Sequence, residues 1–200
     1  MAIVFGYHGC DRRTARLLLG GSPFQPSIKP YDWLGTGSYF WEGDILRAYD
    51  WAIERRPLAP CIVGAVIELG HCLDLTTQSG IQAVRSAYEA YRKLQARTGN
   101  PMPANKDDKS RSPGNRVIRL LDRAIIDYMH ESFEAMSLPA FDTVRALFPE
   151  GEPLYPDAGF WDKTHIQIAV RNHACIRGVF RVPSYDLERF NIPDSIYSAD

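Results

Sequence analysis

An α+β fold with mainly antiparallel strands is what this sequence predicts, on three observations. Strand-like and helix-like segments alternate over the first half of the chain. Two strand-like segments near the end, 164–170 and 175–182, follow each other across the short turn Arg171-Asn172-His173-Ala174, as an antiparallel pair does. No G-x-G-x-x-G turn follows the first strand and no P-loop is present, so a dinucleotide-binding parallel sheet is not expected.

The elements follow in order. Ile3, Val4, Phe5 and Tyr7 make 2–9 a strand. Asp11 caps a helix carrying Ala15, Leu17, Leu18 and Leu19, which Gly20-Gly21 stops. Three prolines make 22–31 an extended loop. A glycine-punctuated aromatic segment, 33–41, leads to Gly43-Asp44, which opens a helix with Ile45, Ala48, Trp51 and Ala52 on one face. A strand over 61–69 breaks at Gly70 and resumes over 72–75. Ile81, Val84, Tyr88, Tyr91 and Leu94 mark an amphipathic helix. The polar, proline-containing stretch 98–114 reads as a mobile surface loop. Asn115 is the expected cap of the next helix, which carries Val117, Leu120, Leu121, Ala124, Ile125 and Tyr128. A strand over 141–147 and a Gly/Pro-rich loop over 149–161 precede the final two strands. At 200 residues, one domain spanning 1–200 is expected.

Composition narrows the function classes. Apolar residues are 45% and charged residues 24%, enough for a real core. A net charge of −1 gives no global positive field for nucleic acid, although a local basic patch is compatible with it. No apolar run approaches membrane-spanning length, and the opening MAIVFGYHG is unlike a signal peptide. A cytoplasmic location without membrane contact is therefore expected. Cys10, Cys61, Cys72 and Cys175 are expected as free thiols, and their spacing suggests no metal site.

Three segments carry candidate chemistry. Tyr7-His8-Gly9 ends the first strand. Gly37-Ser38-Tyr39-Phe40 precedes a helix containing Ala48-Tyr49. The late strand reads Thr164-His165-Ile166-Gln167-Ile168-Ala169-Val170. Taken in this order, they resemble the ADP-ribosyltransferase superfamily in its His-Tyr-Glu branch, which includes diphtheria-toxin-like toxins and the poly-ADP-ribose polymerases. The segment 160–172 also looks like the tail of bacterial toxin- or defence-like members.

The resemblance implies an ADP-ribosyltransferase-like split antiparallel sheet with flanking helices. It implies NAD as co-substrate and transfer of a single ADP-ribose to a macromolecular acceptor, protein or nucleic acid. A bacterial toxin or antiphage effector, with an antitoxin as further partner, fits that pattern. His8, Tyr39 and Gln167 are the implied catalytic residues, and His8, Gly9, Tyr39, Trp41 and Tyr49 the implied NAD-holding residues. The chemistry is coherent with these types. Glycine lets backbone approach the nicotinamide amide, the tyrosines offer flat faces to its ring, and histidine can hold a ribose hydroxyl. An oxocarbenium-like transition state needs preorganised dipoles or negative charge more than a covalent nucleophile. Gln167 stands where the family commonly has Glu. Its amide can accept a hydroxyl hydrogen bond but supplies no full charge, which favours single transfer. Glu150, in the preceding loop, is the alternative source of charge. His165 is expected on the other face of its strand or at the surface. Two other readings stand beside this one: a degenerate module that holds NAD or ADP-ribose without chemistry, and a thiol enzyme using Cys10 with His8.

Overall fold

The computed structural model describes residues 2–56, 58–107 and 116–198. Its strands are β1 (Ile3–Asp11), β2 (Ser38–Glu42), β3 (Pro60–Glu68), β4 (Cys72–Asp74), β5 (Thr143–Phe148), β6 (His165–Val170) and β7 (Ile176–Phe180). Its helices are α1 (Arg12–Leu19), α2 (Ile45–Arg55), α3 (Gln78–Thr98), α4 (Leu120–Ala135) and α5 (Ser184–Arg189), with 3-10 turns at His173–Cys175 and Asp194–Tyr197.

The fold is α+β. All seven strands join one sheet in the order β4-β5-β6-β2-β1-β3-β7, antiparallel at every step but β4–β5. The early helices start as the sequence predicts. The Asp11 carboxylate accepts from Thr14 N–H at 2.8 Å, and Asp44 accepts from Arg47 N–H at 2.9 Å. Each bond satisfies a donor that the first helical turn leaves without an intrahelical partner.

Strand alternation distributes the helices. Cys10 and His8 point to one face of β1, where α1 packs through Ala15 and Leu18 together with Leu187, Ile192 and Ile196 from the C-terminal segment. Gly9 points to the other face, against Ala48 and Trp51 of α2. On that second face, farther along the sheet, α4 places Ile126 and Met129 over Val144, Ala146 and Ala169.

Three expectations are corrected. The last two strands do not pair with each other across 171–174. β6 lies between β2 and β5, so both its edges are occupied, and β7 joins β3 at the opposite end of the sheet. The fourth helix begins at Leu120 rather than after Asn115, because Ile118 exchanges backbone hydrogen bonds with Lys106 and is held extended. α5, beyond the last strand the sequence predicts, follows Pro183. The stretch 98–114 is not loop throughout: Thr98 ends α3, and Asn105 is pinned to α4, its side-chain oxygen accepting from Leu121 and Asp122 N–H at 2.9 and 3.2 Å. Asn115 and the remainder of that stretch, 108–114, lie outside the described residues.

Candidate functional site

The site begins where two central strands part. β1 pairs with β2 at only two positions, Gly6↔Glu42 and Tyr7↔Trp41, although β1 runs on to Asp11 and β2 starts at Ser38. The Phe5 carbonyl accepts from Gly43 N–H at 2.8 Å, so alternation turns the N–H and C=O of Tyr7 and Gly9 toward β2 as well. Beyond Tyr7 the ladder stops, and the Gly9 backbone edge faces the gap. A side chain takes the place of the missing ladder bond: His8 Nδ1 donates to the Tyr39 carbonyl at 2.8 Å. A carbonyl only accepts, so Nδ1 carries the proton and Nε2 carries the lone pair of the neutral ring. Burial keeps His8 neutral by lowering its pKa, against the opposing pull of the Tyr39 hydrogen bond.

The imidazole lines a cavity of about 460 Å³ between β1, α1 and the segment after α1, together with Thr14, Leu18, Ser22, Phe24 and Gln25. Phe24 meets the ring edge-on at 5.3 Å, and Phe40 lies 5.7 Å away. The volume falls within the roughly 300–1,000 Å³ of small-molecule sites, and apolar walls with a few polar groups are their usual lining. Sequence reasoning singled out His8 but missed Thr14, Phe24 and Gln25. The available signal was Pro23-Phe24-Gln25 directly after a helix-ending glycine pair, which folds that segment back over β1.

The other implied residues lie on the opposite face. Trp41 pairs with Tyr7 on β1 and with Gln167 on β6, so these three side chains share a face that His8 does not. Tyr39 shares it too, two residues from Trp41. Its ring packs beside Leu34, Ile126 and Ala169, while its hydroxyl donates to Gly35 O at 2.7 Å and accepts from Leu34 N–H at 2.9 Å. Burial raises its pKa, with Asp32 adding to the effect. Tyr49 packs half-buried on the other core cluster, so the two tyrosine rings are built into different cores. Trp41 is enclosed, tilted against Trp51 at 5.8 Å, and its Nε1 has no hydrogen-bond partner. The structure thus brings His8 to the Tyr39 backbone and Trp41 to Gln167. It does not gather His8, the Tyr39 phenol and Gln167 around one point on a single face.

Gly9 is glycine for a packing reason. A methyl there would collide with the Ala48 carbonyl oxygen and sit 3.1 Å from the Trp51 ring. Its backbone edge toward β2 remains available.

Beside Gln167 lies a polar cluster whose geometry sequence reasoning did not assemble. Arg47, in the first turn of α2, donates to buried Glu150 at 3.0 Å. Glu150 Oε2 is 3.9 Å from Nδ1 of His165, which donates to the Lys163 carbonyl at 2.7 Å. His165 is two residues from Gln167 on the same strand face and fully enclosed, which corrects its expected place on the opposite face or at the surface. Trp33 stacks on the imidazole at 6.1 Å. Burial, then the hydrogen bond to Lys163 acting against it, leaves the His165 pKa lowered. The two-residue spacing of His165 and Gln167 was the signal that could have placed them together.

Cys10 is buried on the His8 side of β1. Desolvation, with Cys61 beside it, pushes its thiol pKa well up. A thiol held protonated does not suit a nucleophile, and the Cys10–His8 reading gains no support.

No helix among the described residues is long and apolar enough to cross a membrane. No protein-family model matches the chain. No solved structure matches it. The chain is similar, at 26% identity over 220 aligned residues, to the uncharacterized protein MJ0359 of Methanocaldococcus jannaschii, with 97% of this chain and 94% of that protein covered.

Proposed function

We propose that this chain is an NAD-dependent mono-ADP-ribosyltransferase that cleaves the nicotinamide–ribose bond and transfers ADP-ribose to a macromolecular acceptor. One observation carries the reading. At the point where β1 and β2 part, His8 spans the gap to the Tyr39 carbonyl, the Gly9 backbone edge faces it, and the gap adjoins the 460 Å³ cavity beside α1.

The residues divide the work by face. On the α1 side, the His8 Nε2 lone pair, Thr14, Ser22 and Gln25 offer partners to ribose hydroxyls, and Phe24 offers an aromatic surface for adenine. In the gap, the Gly9 N–H and C=O suit a carboxamide, which needs one donor and one acceptor side by side. Tyr49 on α2 is the ring for the nicotinamide. Tyr39 acts through its carbonyl, which fixes the His8 tautomer, while its phenol holds the 34–35 backbone. Gln167, two strands from β1 and therefore roughly 10 Å away, accepts from the ribose 2′-hydroxyl. It is preferred to Glu150, whose carboxylate is engaged by Arg47.

The test is nicotinamide release from labelled NAD by the purified protein, alone and with cell extract, paired with mass spectrometry for ADP-ribose added to proteins and nucleic acids. Release that is lost in His8→Ala and reduced in Gln167→Ala is the expected outcome. A wild-type protein that neither releases nicotinamide nor binds NAD refutes the proposal. The absence of a carboxylate at 167 favours one second reading, a module that holds NAD or ADP-ribose without chemistry. A melting temperature raised by NAD with no release under any condition selects it.

A further inference from the structure

We infer that His165 is the general base that takes a proton from the acceptor, and that the acceptor is therefore a protonated nucleophile, a hydroxyl or an N–H group, rather than a carboxylate; this rests on the transferase reading above.

The geometry around His165 is that of a poised base. Donation from Nδ1 to the Lys163 carbonyl fixes the tautomer, so the lone pair sits on Nε2. Nε2 is buried and has no hydrogen-bond partner. Leaving a buried polar atom unsatisfied is costly, and a structure that keeps one without structural benefit invites a functional explanation. The same face supplies the neighbours such a step needs. Gln167 is two residues along the strand, roughly 7 Å away at strand spacing. Glu150, 3.9 Å from Nδ1 and held by Arg47, is placed to stabilise the ring once it is charged. Trp41 Nε1 and Arg47 Nε, also buried and without partners, are donors for the acceptor's own oxygen atoms. The Trp33 ring lies over the imidazole. Trp33 belongs to the connection between α1 and β2, its Nε1 donates to the Val117 carbonyl at 2.8 Å, and its ring packs on Phe148 and Arg119, so an acceptor reaches Nε2 by displacing that ring.

The chemistry balances with such a base. The acceptor's oxygen or nitrogen forms a bond to C1′ of the ribose as the C1′–N bond to nicotinamide breaks. That bond's electron pair neutralises the ring nitrogen, and nicotinamide leaves uncharged. The acceptor's proton passes to His165 Nε2 and from there to water. A carboxylate acceptor would have no proton to give and would leave His165 without a role.

The experiment separates this inference from the reading beneath it by measuring nicotinamide release and ADP-ribose transfer independently. The variant is His165→Asn, whose amide nitrogen can still donate to Lys163 while the base is removed. Transfer is expected to fall by about 10²–10⁴-fold, the usual contribution of general base catalysis, while the rise in melting temperature that NAD produces in the wild type is retained. Loss of release in the wild type overturns the transferase reading itself. Release with transfer unchanged in His165→Asn overturns the inference alone. An independent measurement needs no variant: fragmentation mass spectrometry locates the modified atom in the wild-type adducts. Adducts on hydroxyl or N–H groups support the inference, and adducts on carboxylates overturn it even if His165→Asn fails to fold.

Discussion

Replacing Gly9 with alanine probes the close approach of β1 to α2. The added methyl meets the Ala48 carbonyl oxygen and lies 3.1 Å from Trp51 Cε3. Ala48 and Ala52, neighbours along the same helix face, are fully buried, so α2 has no slack on this side. Overpacking of this kind costs about 1–3 kcal/mol, and the upper end applies when the obstacle is helix backbone rather than a rotatable side chain. At about 2–4 °C per kcal/mol for a chain of this size, the melting temperature should drop by roughly 6–12 °C. The matched control is Gly178→Ala in β7, where a methyl meets nothing within 4 Å and the change should stay within about 0.5 kcal/mol. Thermal unfolding followed by circular dichroism measures both. If Gly9→Ala melts with the wild type, the packing account of Gly9 is wrong, and any loss of NAD response in that variant belongs to the backbone edge facing the gap.

Two further outcomes follow from the packing. Asn105→Ala removes the oxygen that caps the first turn of α4, where Arg119 makes no side-chain cap bond; urea unfolding should show a loss of about 0.5–2 kcal/mol. His130 is buried with neither ring nitrogen hydrogen-bonded, and burial, with Arg171 nearby, pushes its pKa down to about 4 from 6.5. The unfolded chain therefore binds the proton more tightly. Stability should be full above pH 6.5 and erode as pH falls toward 4, by up to about 3 kcal/mol. His130→Leu should remove that slope, matching or exceeding the wild type at pH 8 and exceeding it clearly at pH 5 by urea unfolding; an unchanged slope refutes the assignment.

Much of the candidate site was legible residue by residue, while its arrangement was not. His8, Gly9 and Gln167 were picked out by residue type and by their places at a strand end or within a strand. Whether His8 shares a face with Tyr39 depends on strand register, and a one-residue slip reverses the answer. The observed pairing puts His8 with Phe40 and the Tyr39 phenol with Ala169. The Arg47–Glu150 contact joins residues 103 apart. Periodicity carries no information about such a pair, because it reports only which residues turn inward and not which of them meet.

By itself the sequence determined the features whose hydrogen bonds close within a few residues. Asp11 and Asp44 start α1 and α2 through bonds to the third residue along, and the β-forming runs at 2–9, 61–69 and 164–170 become β1, β3 and β6. Tertiary structure alone decided that β6 lies between β2 and β5, that β7 crosses to the far edge, and that α4 is capped by Asn105 from sixteen residues upstream. A helix turn finds its partners within its own reach. A strand must find them on another segment, and that choice is made by loop closure and by burial of both faces at once, quantities that belong to the whole chain.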